Sequence, residues 1–458
     1  MDLDLAARVL ELVRVLAGPG TQAEVLVERR TLALTRFANS YIHQNVADTT
    51  TTVRLRLHRE GRTATGSTTL TVADALRDLV ERTVAASRLC PPDVGWPGLA
   101  PPSPVDEPVA VDEDVVAATP ADRAARVRAF VDASAGLPTA GFCRTSYTMA
   151  AFANSAGQVA SGATTEASME GIARTVTGDG AAKLAAPRLS DVDGAVLGAR
   201  AAAKALAGTE PIELRPGRYE VVLEPLAVGD VLQSLALYGF NGKAVNERRS
   251  FVLPGQQQFD PGVTLVDDPT GPGQVGLHFD TEGTPRGPLT LVRAGVTEAV
   301  AHDRRTAAVA GTASNGRATL GGSTWGAVPT NLTLLPGSGP APTEVPGPAA
   351  DSSVLELVAG VGYGLLVTDH WYTRVLDPRT LVTTGLTRNG VWLIEHGEIT
   401  RPVRNLRFTQ SYPQALVPGA LLGVGSHAAP VVTTWDLACF AAPALRLAAW
   451  NFTGGASG

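Results

Sequence analysis

A short strand followed at once by a buried helix is the feature that most constrains the fold of this chain. Residues 219–223 (YEVVL) form an apolar strand pattern. Pro225 can occupy the first turn of a helix, because the amide hydrogen that proline lacks would have no partner there. Apolar residues then recur at helical spacing, namely Val228, Val231, Leu232 and Leu235. Gly239 and Gly242 mark the end of this helix. The pattern predicts a buried helix over residues 225–239 that opens the larger of two domains.

The rest of the chain has the composition of a protein rich in strands and tight turns. Its 458 residues include 48 glycines and 32 prolines, more than the roughly 12% that these two types usually contribute, while only 18% are charged. The net charge of −6 argues against a general nucleic-acid-binding protein, which needs a basic face. The acidic, helix-periodic N-terminus is unlike a signal peptide, and no apolar stretch reaches the roughly 20 residues of a membrane helix. We therefore expect neither nucleic acid nor a membrane as a partner.

Residues 1–210 are predicted to form an N-terminal α+β domain that contains two similar units. The tetrapeptide FANS at residues 37–40 recurs at residues 152–155, and each copy precedes further strand pattern and an Ala/Val/Leu-rich helix. The matching order predicts an internal duplication over residues 23–90 and 139–207, with a Pro-rich connector at residues 91–108. The alternative is that Asn-Ser simply supplies a turn in both places. Within the first unit, residues 23–36 are predicted to contain a strand and a hairpin turn.

The segment GTEPIELRPG at residues 208–217 marks the predicted boundary with a C-terminal domain over residues 217–458. Short apolar runs separated by Gly and Pro predict mostly strands there, including one at residues 354–362. The predicted fold class is therefore α+β. It combines a duplicated sheet-plus-helix N-terminal region with a strand-rich, barrel-like or antiparallel C-terminal domain.

Residues 218–251 resemble the TldD/PmbA (TldE) family. The TldD branch of that family carries the zinc motif HExxxH on this helix, followed by a Gly-rich run and a basic-Ser-Phe segment. GFNG at residues 239–242 and RRSF at residues 248–251 are similar to those flanks. Gln233 and Ser234 stand where the first His and the Glu would be, and Tyr238 stands where the second His would be. The chain therefore resembles the PmbA/TldE branch, which lacks the motif.

The resemblance extends over nearly the whole chain because further similar segments follow in the family's order. These are RFANSYIHQN at residues 36–45, FDTEG at residues 279–283, NGR at residues 315–317 and IEHGEITRPV at residues 394–403.

The residues on the helix do not make a zinc hydrolase site. Such a site needs neutral imidazoles to hold the ion, an open position for water, and a carboxylate to take the water's proton. Gln and Tyr are poor zinc ligands, and Ser234 cannot act as a base at neutral pH. Glu224 and Asp230 have no histidine within a turn. TldD-type members carry a further cysteine ligand, but Cys439 lies in an apolar context and is predicted to be a buried, inert thiol. We expect no metal and no catalytic residue in this chain.

Charged residues after the helix form a candidate substrate-channel set. His278, Asp280 and Glu282 are close enough in sequence to bind a metal in principle, but their segment resembles the family's FDDEG turn, which favours a structural role. The HDRR segment at residues 302–305 is interpreted in the same way, as a solvated or pocket-lining charge cluster. The predicted channel residues are Asp280, Glu282, His302, Arg304 and Arg305.

The resemblance implies a non-catalytic TldE/PmbA-like subunit that assembles with a TldD-type, HExxxH-bearing metalloprotease, with zinc in that partner and none in this chain. It also implies a cytoplasmic complex that acts on unfolded peptides or peptide precursors. Three scattered cysteines suit a reduced cytoplasm. Strand addition at a sheet edge could hold the peptide. The tryptophans that could line such a surface are Trp325, Trp371, Trp392 and Trp435.

Two other hypotheses stay open at this point. The chain could be a peptidase in its own right with an atypical catalytic centre, or a stand-alone homodimeric protein with a peptide-binding or regulatory role. The sequence names neither the substrate nor the oligomeric state.

Overall fold

The computed structural model describes residues 2–106, 111–271, 273–432 and 439–455. The α-helices in these residues are α1 (Asp2–Leu16), α2 (Ala73–Leu89), α3 (Glu113–Val116), α4 (Pro120–Ala133), α5 (Gly194–Ala207), α6 (Pro225–Ser234), α7 (Gly242–Asn246), α8 (Arg304–Ala310), α9 (Gly322–Trp325) and α10 (Ser352–Ala359). The strands of the N-terminal half are β1 (Gln22–Ala38), β2 (Tyr41–Arg59), β3 (Arg62–Thr68), β4 (Thr139–Asn154), β5 (Val159–Arg174) and β6 (Asp179–Ala186). The later strands are β7 (Gly217–Leu223), β8 (Leu265–Asp267), β9 (Leu289–Arg293), β10 (Val296–Thr297), β11 (Leu332–Leu334), β12 (Tyr363–Asp377), β13 (Val382–Glu395), β14 (Glu398–Pro402), β15 (Leu406–Ser411), β16 (Leu421–Val424), β17 (Ala429–Val432), β18 (Cys439–Ala442) and β19 (Leu445–Gly455).

The first six strands form one antiparallel sheet, called here the N-terminal sheet, in the order β3-β2-β1-β4-β5-β6. Each half is a three-stranded meander followed by a long helix, α2 in the first half and α5 in the second. The two FANS segments lie at the equivalent hairpin of each half, between β1 and β2 and between β4 and β5. Asn39 and Ser40 have φ values of 50° and 65°, as a two-residue type I′ turn requires. The repeated order fits the predicted sheet-plus-helix units, and the division into domains at residues 210 and 217 stays a prediction.

Two local predictions are wrong. Residues 23–36 contain no hairpin turn, because β1 pairs continuously with β4 from Glu24 to Phe37. Residues 354–362 are not a strand, because α10 covers most of them. The side chain of Asp351 accepts hydrogen bonds from the amides of Ser353 and Val354, and this N-cap starts the helix that the apolar run alone did not predict.

The second half of the described chain is rich in strands and includes a closed ring. One of its sheets has the order β12-β7-β19-β15-β13-β14, and β12 also pairs with β13. The strands β12, β7, β19, β15 and β13 therefore close on themselves, which removes their free edges. The other sheet has the order β10-β9-β8-β11-β18-β17. Within the ring, β7 and β12 pair in parallel and the other neighbours are antiparallel. The helices of the N-terminal half and this closed ring confirm the predicted α+β class with a barrel-like second half.

The helix predicted over residues 225–239 is present and lies in the largest hydrophobic core. Its buried side chains include Val228, Val231, Leu232 and Leu235, which pack with residues of β7, β12 and β19. Within the described residues, no helix combines the length and the apolar character needed to span a lipid bilayer.

Candidate functional site

The helix over residues 225–239, called here the central helix, changes from α to π geometry between the motif positions 233 and 238. Helix α6 ends at Ser234, and a π turn covers Leu235–Gly239. The amide of Phe240 donates to the carbonyl oxygen of Leu235 at 2.8 Å, the i→i+5 bond that defines such a turn. In a regular α-helix, two residues five apart point roughly 140° away from each other. The wider turn reduces this angle between positions 233 and 238, which are the positions of the two histidines in an HExxxH motif.

Gln233, Ser234 and Tyr238 stand at the three motif positions, and all three are half-buried. Tyr238 packs against the large core, and Leu237 contributes to a cavity wall. Among the described residues, no group of three or more His, Cys, Asp and Glu side chains is placed to hold a metal ion.

Asp230, one turn before Gln233, accepts hydrogen bonds that connect α6 to distant parts of the chain, and the sequence did not predict these contacts. Its carboxylate accepts from the hydroxyls of Thr373 at 2.7 Å and Tyr412 at 2.6 Å. Nδ1 of His370 lies 3.6 Å from the same carboxylate, too far for a hydrogen bond. The ring of His370 instead packs against Phe408, with the ring centroids 4.4 Å apart. These partners are far from Asp230 in sequence, so no local pattern could have indicated them.

A cavity of about 430 Å³, called here the central cavity, lies between the N-terminal sheet and the second half of the chain. The N-terminal sheet contributes Leu26 of β1 and Ala150 of β4. The second half contributes mostly apolar groups together with a few charged ones, namely Leu237, Leu277, Phe279, Trp325, Val328, Asp280, Arg286 and Arg317. The cavity thus combines a largely apolar wall with a few placed charges, as ligand sites in proteins usually do.

Two guanidinium groups in the cavity wall share one buried carboxylate. Nε of Arg317 donates to Oδ2 of Asp267 at 2.7 Å, whereas Nη2 of Arg286 lies 3.7 Å from that oxygen. Nη2 of Arg286 donates to Thr330 Oγ1 at 2.8 Å and to Asn331 Oδ1 at 3.2 Å. Burial lowers the pKa of Arg286; the negative charge of Asp267 opposes this shift, and the positive charge of Arg317 adds to it. Hydrogen bonds and ion pairs that connect Arg286 and Arg317 to Asp267 thus hold this wall of the cavity together.

Asp280 shapes the turn of the FDTEG segment. Its Oδ1 accepts from the amides of Glu282 and Thr284, and its Oδ2 accepts from the amide of Ala318, each at 2.9 Å. Burial, reinforced by the charge of Glu282, raises the pKa of Asp280 to about 7. The carboxyl group thus organises the loop that forms one wall of the central cavity, which is the structural role favoured by the sequence.

A second cavity of about 850 Å³, called here the side cavity, lies next to β2 and β3 and is lined by Glu282 and Arg305. Arg56 of β2 pairs with two carboxylates there, with Nε 2.7 Å from Glu24 and Nη2 2.8 Å from Glu282. Burial raises the pKa of Glu24 to about 7, although Arg56 opposes this shift. Arg305 forms a bidentate pair with Asp93 at 2.9 and 2.7 Å.

The five predicted channel residues do not share one cavity. Asp280 lines the central cavity, and Glu282 and Arg305 line the side cavity. Arg304 donates to the carbonyl oxygens of Gly98 at 3.2 Å and Pro97 at 3.3 Å. Nδ1 of His302 lies 3.2 Å from Thr306 Oγ1, and burial lowers the pKa of this histidine. Most of them hold the second half against the N-terminal half, and contact with substrate stays a prediction.

The tryptophans proposed for a peptide surface are also separated. Trp325 is 60% exposed at the central cavity, whereas Trp371 is exposed on β12. Trp392 is buried with its Nε1 donating to the carbonyl of Ala207, so it cannot line an open surface. Trp435 lies outside the described residues. Cys439 is buried as predicted, and burial raises the pKa of its thiol to about 12.

Comparison with known proteins decides the family. Residues 216–454, just over half of the chain, match the PmbA/TldA metallopeptidase C-terminal domain, and residues 23–87 match the PmbA/TldA metallopeptidase domain 1. The chain belongs to the TldD/PmbA family. This confirms the resemblance seen in the sequence. None of the curated proteins matches this TldD/PmbA chain significantly.

Solved structures share the fold of this TldD/PmbA family member. TldE from Thermococcus kodakarensis gives a TM-score of 0.82 at 16% identity, covering 94% of this chain and 97% of that chain. A candidate modulator of DNA gyrase from Bacteroides thetaiotaomicron gives 0.81 at 18% identity, covering 98% of both chains. Another candidate modulator of a DNA gyrase, from Thermotoga maritima, gives 0.80 at 17% identity, covering 98% of this chain and 99% of that chain. At these identities the likeness establishes the fold alone.

Proposed function

We propose that this chain is a non-catalytic, TldE/PmbA-like subunit of a metallopeptidase complex that acts on unfolded peptides or peptide precursors. The observation that carries the proposal is the composition of the central helix. The helix has a π turn over Leu235–Gly239 and a Gly-rich flank, but Gln233, Ser234 and Tyr238 occupy the positions of the zinc motif.

The chemistry of these side chains explains why the proposed role is not catalytic. A carboxamide and a phenol replace the two imidazoles, and both are weak ligands for zinc at neutral pH. A serine hydroxyl replaces the carboxylate that would accept a proton from zinc-bound water. We therefore place the zinc and the general base in a TldD-type partner that carries HExxxH, and we place the complex in the cytoplasm.

In this proposal the chain contributes binding surface rather than reacting groups. The central and side cavities lie where the N-terminal sheet faces the second half of the chain, and their walls carry both apolar and charged side chains. Such walls can hold an extended peptide beside a catalytic centre supplied by the partner.

The test is to produce the chain with an HExxxH-bearing family member from the same cell and to purify it through a tag on this chain. We expect the partner to co-purify, and we expect zinc-dependent peptide cleavage that is lost when the Glu of the partner's motif is changed to Gln. As a control, Gln233→Ala in this chain should leave the zinc content unchanged. A stable homodimer that never recovers such a partner would contradict the proposal and favour the stand-alone alternative.

A further inference from the structure

We propose that the central cavity binds a carboxylate carried on an apolar group, such as the C-terminus of a peptide that ends in a hydrophobic residue. The site lies within this chain, and its ligand affinity can be measured without any cleavage activity. The inference therefore goes beyond the proposed function and can fail or hold independently of it.

The shape and the apolar lining of the cavity define one half of the ligand. A volume of about 430 Å³ is within the range of small-ligand sites and suits one or two residues of a peptide. Leu26 and Ala150 of the N-terminal sheet belong to one hydrophobic cluster with Leu277 and Phe279, and all four line the cavity. An apolar side chain bound in the cavity would remove its own surface and the apolar walls from contact with water, which is the main driving force for such binding.

The incomplete pairing of Arg286 defines the other half. Its side chain is only 10% exposed and lines the cavity. Nη2 donates to Thr330 and Asn331, but within the described part of the chain Nε has no hydrogen-bond partner, and no hydrogen bond described there uses Nη1. The nearest carboxylate, that of Asp267, lies 3.7 Å away, beyond hydrogen-bond distance, so a ligand carboxylate would supply a charge-assisted hydrogen bond that the buried guanidinium group lacks.

Arg317 explains why the protein itself does not complete this pairing. Its guanidinium group donates to Oδ2 and to the carbonyl oxygen of Asp267, and also to the carbonyl oxygens of Gly287 and Asn315. Arg317 thus makes four hydrogen bonds and lies closer to the Asp267 carboxylate than Arg286 does. Arg286 lies 3.7 Å from that carboxylate and keeps a charge that is only partly compensated.

The acidic groups of the wall set the limits of the ligand. The oxygens of Asp280 already accept three backbone amides, and burial raises the pKa of this carboxyl group to about 7, which reduces its repulsion of an anion at neutral pH. Glu28 of β1 also lines the cavity, and its repulsion of an anion is larger for a ligand with two negative charges than for a ligand with one. The site should therefore prefer monocarboxylates, and a peptide ending in glutamate should bind less tightly than one ending in leucine.

The direct test is calorimetric titration of the purified full-length chain with an N-acetylated tripeptide ending in leucine. We expect the free acid to bind at least about tenfold more tightly than the C-terminal amide, a difference of ~1.4 kcal/mol. Decanoate distinguishes the source of the carboxylate. If decanoate binds and the peptide acid does not, the chemistry of the site is supported and its ligand is a fatty acid. If the acid and the amide bind equally, or if neither acid binds, the proposal is overturned.

Variants connect the result to the cavity. Arg286→Gln removes the charge and ends short of Thr330 and Asn331, so it should abolish the preference for the acid over the amide. Arg293→Gln is the matched control, because Arg293 is 62% exposed on β9 and should leave the preference unchanged. Leu277→Trp fills the cavity without removing a charge, so it stays informative if Arg286→Gln does not fold. It should abolish binding of both peptides, and retained binding would show that the cavity is not the site.

Discussion

The ammonium group of Lys204 donates to the carboxylate of Glu224, and the two side chains are only 3% and 2% exposed. Lys204 lies on α5, and Glu224 immediately precedes α6, so the pair joins the N-terminal half to the start of the central helix. Lys183 of β6 makes a similar connection to Asp369 of β12 at 3.1 Å. Two of the chain's lysines thus fix the position of the central helix and the neighbouring ring relative to the N-terminal sheet.

Removing one member of the buried pair should strongly destabilise the protein. Lys204→Met leaves the Glu224 carboxylate buried without its partner, so the free energy of unfolding should fall by about 3–5 kcal/mol. Guanidinium-induced unfolding measures this. Changing both residues, Lys204→Met with Glu224→Leu, should recover most of the loss. Lys243→Met, which breaks the more exposed pair with Glu247, is the control and should cost less than about 1 kcal/mol. Equal losses at both lysines would contradict the account.

The Glu24 carboxyl group should make the protein less stable as the pH rises from about 5 to 8. Its pKa is raised from 4.5 to about 7 in the folded state, so the native protein holds a proton that the unfolded chain has already released in this interval. Stability therefore falls as the pH rises through the window. Glu24→Gln removes the titration, and its melting temperature should decline less between these pH values than that of the wild type. Parallel pH profiles for the two proteins would show that Glu24 does not titrate as described.

The pair between Arg305 and Asp93 should show the opposite pH dependence. The hydrogen bond from Arg305 lowers the pKa of Asp93 from 3.8 to about 2. The pair thus contributes stability above about pH 4 and loses it as the pH falls towards 2. Because Arg305 is partly exposed, Asp93→Asn should cost no more than about 1 kcal/mol at pH 7. Its melting temperature should approach that of the wild type in acid, and a gap that widens with acidification would refute the assignment.

The π turn predicts which pair of introduced histidines can share a metal ion. Gln233→His combined with Tyr238→His places two imidazoles five residues apart, a spacing that the widened turn brings closer in direction than a regular α-helix does. Gln233→His combined with Leu237→His has the spacing that suits a regular α-helix. Titration with Ni²⁺ should show the first pair binding at least about tenfold more tightly. Tighter binding by the second pair would show that the helix is regular in solution.

Local patterns in the sequence predicted the elements whose causes are local. The helix over residues 225–239 was predictable because Pro225, the apolar spacing and Gly239 all lie within it. The turn at Asp280 was predictable for the same reason, since its carboxylate contacts the amides of Glu282 and Thr284. The helix α10 was missed because its N-cap at Asp351 lies outside the apolar run that was taken for a strand.

The candidate sites depend on contacts that no local pattern contains. Arg56 and Glu282 are 226 residues apart, and Arg305 and Asp93 are 212 residues apart. The closure of the ring by β12 and β13 and the shared carboxylate of Asp267 also arise only when distant segments pack. Sequence reasoning could therefore name the charged residues after the helix, but it could not divide them between two cavities.

The measurement that tests the central claim most directly is the zinc content and peptidase activity of the purified chain on its own, before and after an HExxxH-bearing partner is added. We predict substoichiometric zinc and no cleavage for the isolated chain, and chelator-sensitive cleavage only in the complex. Stoichiometric zinc together with chelator-sensitive cleavage by the isolated chain would contradict a non-catalytic role.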